Sequence, residues 1–161
     1  MDKALGRCAS KINISFSDDG VFTVKDNGFP IGITNNHDEW LIEVLLTQLF
    51  ACRDLKPYTD LCKNGIVVSN ALSEFFLYDC GDGKNHWQQK YQFGMPINSL
   101  RKISQTDEIW EQFSFLPDKK LIPNSKFETE SFVDWLKSKS LSIKNRIIFL
   151  NDKTVKHRTK N

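Results

Sequence analysis

The sequence has few of the residues that metal chemistry or membrane insertion require. It holds three histidines and four cysteines in 161 residues. His37, His86 and His157 lie far apart, and so do Cys8, Cys52, Cys62 and Cys80. None of them forms the close pair of a structural zinc site, so no metal is expected. The cysteines read as reduced, mostly buried thiols, because a disulfide framework suits small secreted chains. The histidines read as surface residues. No apolar run approaches the roughly 18 residues that a membrane span needs. The first residues, MDKALGRCAS, lack the apolar stretch of a secretory signal. These absences predict a cytoplasmic protein. Charge of either sign is not in excess: 22 Lys and Arg stand against 20 Asp and Glu. Nothing in that balance calls for nucleic acid or an anionic membrane. No repeat and no low-complexity segment is present.

What remains is the composition of an ordinary globular domain, 40% apolar and 26% charged. Residues 11–17 alternate, with Ile12, Ile14 and Phe16 on one side, which predicts a half-buried strand. Asp18-Asp19-Gly20 is a hairpin turn and 21–25 the return strand. Residues 26–36, rich in Gly, Pro and Asn, read as a loop. The spacing of Leu41, Val44, Leu45 and Leu49 predicts a helix over 37–52, and Ile66, Val67, Ala71 and Leu72 predict a second over 65–75. Residues 76–80 and 86–93 flank a Gly81-Asp82-Gly83-Lys84 turn and read as a hairpin. Strands are expected at 100–104, 109–116 and 143–150, and a helix at 128–139. Residues 153–161 form a basic tail, expected to be frayed. Trp40, Trp87, Trp110 and Trp135 are assigned to core or half-core positions. The order of elements predicts an α+β fold, a mostly antiparallel sheet with helices on one face.

Three stretches resemble one family. Asp2-Lys3-Ala4-Leu5 through Cys8, with the hairpin ending in Asp26-Asn27-Gly28, resembles a helix end D-E-A-L-A-G-x-C followed by D-x-G-R-G-I-P. Ile42-Glu43-Val44-Leu45-Leu46-Thr47-Gln48-Leu49 is similar to A-L-E-V-V-L-T-V-L. Gly65 with Ser69-Asn70-Ala71-Leu72-Ser73-Glu74 resembles the end of G-G-L-H-G-V-G-x-x-V-V-N-A-L-S-E. These patterns are those of the ATP-binding domain of DNA gyrase B and of its counterpart in topoisomerase IV. The resemblance runs from residue 2 to about 152. It implies the two-layer Bergerat-type sandwich of the GHKL ATPases over 1–152, with 153–161 as the tail.

The resemblance also implies where nucleotide chemistry would sit, and the matching positions are altered. The family's general-base Glu and magnesium-binding Asn belong to E-x-x-D-N, just before the D-E-A segment. Here that segment starts at Asp2, so both are expected to be missing, which removes the water orienter and the metal anchor. Asp26 matches the adenine-reading Asp and Gly28 the glycine beside it. Phe29-Pro30 align on Ile-Pro after loss of Arg-Gly. Asp26 either keeps an adenine-like corner or caps local backbone N–H groups. The phosphate-binding glycine lid matches residues 60–65, where Gly65 alone keeps a glycine, and Lys63 reads as a solvated surface lysine. Glu111 stands at or near a phosphate-side Thr, where it would repel phosphates or face solvent. Asp26, Gly28, Pro30 and Gly65 are thus the residues of a vestigial nucleotide pocket, with no catalytic residue, no metal ligand and no ATP or magnesium cofactor expected.

The expected function is that of a non-catalytic homologue serving as a protein-binding or regulatory module. Its expected partner is another protein, either part of a type II topoisomerase or an unrelated complex. The alternatives are a nucleotide or small-ligand binder without hydrolysis, and a split fragment of a type II topoisomerase. The basic tail has too few charges, and no aromatic partner, to predict a nucleic-acid site.

Overall fold

The computed structural model describes residues 9–33, 35–36, 39–50, 65–123, 129–140, 147–151 and 153–154. The strands are β1 (Lys11–Phe16), β2 (Phe22–Asp26), β3 (Asn35–Asn36), β4 (Glu39–Trp40), β5 (Ser73–Asp82), β6 (Asn85–Gln92), β7 (Met95–Pro96), β8 (Arg101–Gln105), β9 (Ile109–Pro117), β10 (Ile147–Leu150) and β11 (Lys153–Thr154). The helices are α1 (Leu41–Thr47), α2 (Gly65–Ala71) and α3 (Thr129–Ser140). Nine strands form one sheet in the order β11-β10-β1-β2-β9-β5-β6-β7, with β8 also paired to β6. Among the described pairs of this sheet, β1–β10 alone is parallel. The expected α+β architecture is present.

Alternation along the strands separates the two faces. Cross-strand register aligns Ile14, Val24, Phe113 and Tyr78 in one row, and Phe16, Phe22, Phe115 and Phe76 in the next. This is the inner face. Ile42 and Leu46 of α1 bury against Phe76, Tyr78, Cys80 and Tyr91, while Leu136 of α3 buries against Ile14, Ile148 and Leu150. The helices therefore cover one side of the sheet in two separate clusters. Aromatic rings bridge the clusters: Phe76 stacks on Phe115 at 5.7 Å, and Phe115 meets Phe22 at 4.9 Å. The opposite face carries Asn13, Lys25, Gln112, Asp79 and Gln88, a polar row.

Two helices are shorter than their apolar spacing predicts. The chain at 39–40 pairs as β4 before α1 begins, and α1 stops at Gln48, whose backbone is extended. The Thr47 hydroxyl donates to the Glu43 carbonyl at 2.7 Å, a local bond that competes with helical propagation. The second predicted helix, 65–75, ends at Ala71, and β5 starts at Ser73. There the Ser73 hydroxyl donates to the Ser69 carbonyl at 2.5 Å, and the aromatic run that follows prefers the pleated sheet. α3 falls within one residue of its predicted bounds, and the predicted hairpin is present, with β5 starting three residues before and ending two residues after its predicted 76–80. Strand pairing reaches Thr154, which lies inside the stretch read as tail. The segment from Asp2 through Cys8, which resembles a helix end, and the rest of the tail lie outside the described residues.

The motif Asn70-Ala71-Leu72-Ser73-Glu74 ties three elements together. Asn70 is fully buried, and its amide donates to the Leu46 carbonyl at 2.9 Å and the Gly94 carbonyl at 3.1 Å. The Phe93 amide donates to the Ser73 carbonyl and the Asp118 amide to the Leu72 carbonyl. One side chain thus fixes the end of α1 against the turn between β6 and β7.

Candidate functional site

Asp26 is the last residue of β2 and points to the inner face, opposite Glu111 of β9. Its Oδ1 accepts the Gly28 amide at 2.7 Å, closing a local turn over Asn27. Gly28 and Pro30 are buried behind it. The loop then passes Glu111, whose Oε1 accepts the Ile31 amide at 3.0 Å. The next amide, Gly32, donates to the Tyr78 hydroxyl at 3.1 Å, and that hydroxyl donates to Glu111 Oε1 at 2.9 Å. Three acceptors of the chain itself, Asp26, Glu111 and Tyr78, therefore take the amides of Gly28, Ile31 and Gly32 in turn.

The fit is tight. A Cβ at Gly32 would lie 2.5 Å from the Tyr78 hydroxyl oxygen and 2.7 Å from Cβ of Ile42, so the loop backbone runs directly against the ring and α1. Tyr78 is fully buried and Glu111 is 4% exposed. Burial, and after it the Glu111 carboxylate, raise the Tyr78 hydroxyl well above the usual phenol range, so it stays a donor. Burial also pushes the neighbouring Cys80 thiol up to about 12. The expectation that Glu111 faces solvent is corrected: its carboxylate is buried because a loop amide and a phenol solvate it in place of water.

Asp26, Gly28 and Pro30 form one corner with Glu111 and Tyr78. Gly65 opens α2, which packs on α1, and nothing lies within 4 Å of a Cβ built on it. Lys63 lies outside the described residues. The part played by Tyr78 was missed in the sequence. The alternation of Phe76, Tyr78 and Cys80 signals that Tyr78 is inward, but not that a loop 46 residues away uses its hydroxyl.

Elsewhere, His86 is half-buried rather than at the surface. Its Nε2 lies 2.5 Å from Asp79 Oδ1, and its ring packs 5.5 Å from Trp110. Trp40 and Trp87 pack together at 5.6 Å, whereas Trp135 on α3 is more than half exposed. Cys80 is buried and free; Cys8, Cys52 and Cys62 lie outside the described residues. Among the described residues there is no group of three metal-ligating side chains, and no helix long and apolar enough to cross a membrane.

No family model matches the chain. Individual proteins do. The chain is 31% identical over 144 residues to the DNA gyrase B protein of Metamycoplasma hominis, covering 83% of this chain and 22% of that protein. It is 28% identical over 138 residues to gyrase B from Streptomyces coelicolor, covering 81% and 20%. It is 27% identical over 171 residues to gyrase B of Chlamydia pneumoniae, covering 96% and 21%. The chain thus spans about a fifth to a quarter of the length of the curated relatives it matches.

Proposed function

This chain is a gyrase B-like domain, and on that premise we propose that it is a non-catalytic protein-binding module. One observation supports the reading: at the corner matching the adenine site, the chain's own amides occupy the acceptors. The Asp26, Glu111 and Tyr78 acceptors take the loop amides at 28, 31 and 32, and Glu111 puts a second carboxylate directly across from Asp26. Two adjacent carboxylates oppose a polyphosphate, and a buried Tyr78 stands where the loop would have to open. A domain that keeps its sheet, its helices and its Asn70 clamp while using these acceptors for its own loop retains shape in preference to turnover.

Calorimetry with ATP, ADP and adenosine, with and without magnesium, tests the reading. The expected result is no binding tighter than millimolar, together with capture of one stoichiometric protein partner from the native host. A nucleotide that binds more tightly and loses affinity in Asp26→Ala would establish the ligand-binding alternative instead. A second reading, a piece of a type II topoisomerase completed by another chain, is favoured by the span of a fifth to a quarter of the relatives. A stoichiometric partner supplying an E-x-x-D-N helix would decide for it.

A further inference from the structure

β8 is an edge strand with an unusual surface. It pairs with β6 on one side, and no described strand pairs with the other. All five of its residues, Arg101 to Gln105, are exposed. Register places Arg101 beside Gln88 on the polar face and Lys102 beside Trp87 on the inner face, so the edge is cationic on both sides. Neither cation has a carboxylate partner among the described residues. Four large apolar side chains lie along the same margin: Phe93, Met95, Ile97 and Ile103, exposed by 54%, 69%, 59% and 43%. β7, which carries Met95, is likewise paired to β6 alone.

An open strand edge offers a row of backbone donors and acceptors to another strand. Cations on an edge guard it against copies of itself, because like charges placed opposite one another repel. The same cations attract an acidic segment. Apolar side chains at this density are not needed for guarding and lose solvation free energy until covered.

We propose that the β8 edge binds an extended acidic segment of a partner protein as an added strand, with Arg101 and Lys102 pairing its carboxylates and Ile103 and Ile97 covering its apolar side chains. Five residues at about 3.3 Å each give a docking edge of roughly 17 Å, enough for a five- or six-residue strand. The inference rests on the protein-binding reading above and names the surface and the chemistry that reading lacks.

The probes are two end-blocked hexapeptides, one repeating Glu-Glu-Val so that carboxylates reach both faces, the other repeating Lys-Lys-Val, titrated into the full chain labelled with ¹⁵N. The glutamate peptide should bind with a sub-millimolar Kd and move the amide signals of residues 101–105. The lysine peptide should not bind. Arg101→Glu with Lys102→Glu, both fully at the surface, should weaken the first peptide at least tenfold and admit the second. Absence of binding, signals moving elsewhere, or indifference to the charge reversal overturns the proposal. A concentration-dependent dimer that Ile103→Lys dissolves also overturns it, by assigning the edge to a second copy. A native partner captured equally well by the wild type and the double variant removes this inference and leaves the protein-binding reading standing.

Discussion

The Tyr78 hydroxyl donates to the Glu111 carboxylate at 2.9 Å and accepts the Gly32 amide at 3.1 Å, joining β5, β9 and the loop after β2 through one oxygen. Tyr78→Phe keeps the ring and removes that oxygen. The Gly32 amide then loses its acceptor and Glu111 one of its donors, both in buried surroundings. The expected loss of stability is about 1–3 kcal/mol, read from urea denaturation. An unchanged midpoint would mean that water reaches this corner.

The alkaline limb of the stability profile should report on Cys80. Its folded-state pKa is raised from 9.0 to about 12, chiefly by burial. A raised pKa means that the folded state holds its proton while the unfolded chain releases it. The associated stability is therefore complete below pH 9 and falls as pH rises toward 12, by about 1.4 kcal/mol per pH unit for one group. Urea midpoints from about pH 8 to 11 should fall less steeply in Cys80→Ala. In the same range, a thiol reagent should label Cys80 only at the rate of unfolding.

Asn70→Ala removes the donors to the Leu46 and Gly94 carbonyls. One buried and one part-buried acceptor that lose this donor should cost roughly 1–3 kcal/mol in total. Hydrogen exchange should quicken at the turn between β6 and β7 and at the end of α1 together, since one side chain holds both.

Phe93 sits at φ 49°, followed by Gly94 at φ 81°. Two consecutive positive φ values suit Asn-Gly, and a bulky aromatic in the first position is strained. Phe93→Asn should therefore stabilise the chain by about 0.5–1 kcal/mol in thermal or urea denaturation. If binding of the acidic peptide weakens in the same variant, the strained ring is being held out for contact.

The sequence made the sheet legible where its alternation was strict. Ile12, Ile14 and Phe16 marked β1, and Phe132, Val133 and Leu136 marked α3 almost to the residue. It was less legible where two periodicities overlap. Leu72 continues the helical spacing of Val67 and Ala71, yet the chain turns extended at Ser73, where a hydroxyl and a following aromatic run outweigh propensity. The 37–52 reading was too long for a similar reason, since β4 and the Thr47 back-bond consume both ends. Asp26 was legible as a turn-capping carboxylate, because its acceptor acts two residues away. The Tyr78–Glu111–loop coupling was not legible, because its members lie 33 to 80 residues apart and meet only through register.

The β1–β2 hairpin lies between β9 and β10, strands much later in the chain. Among the described residues, β10 reaches the sheet by its parallel pairing with β1, and β2 joins the hairpin to the rest of the sheet by its pairing with β9. During synthesis, the earliest of these strands to leave the ribosome thus wait longest for a second partner. β1 keeps an open edge until Leu150 has emerged, roughly six to seven seconds later at about 20 residues per second. Pairings of such long sequence separation close slowly. The nascent hairpin accordingly waits with both edges uncovered until β9 has been made. A holdase that occupies those edges in the interval is expected to raise the yield of folded chain.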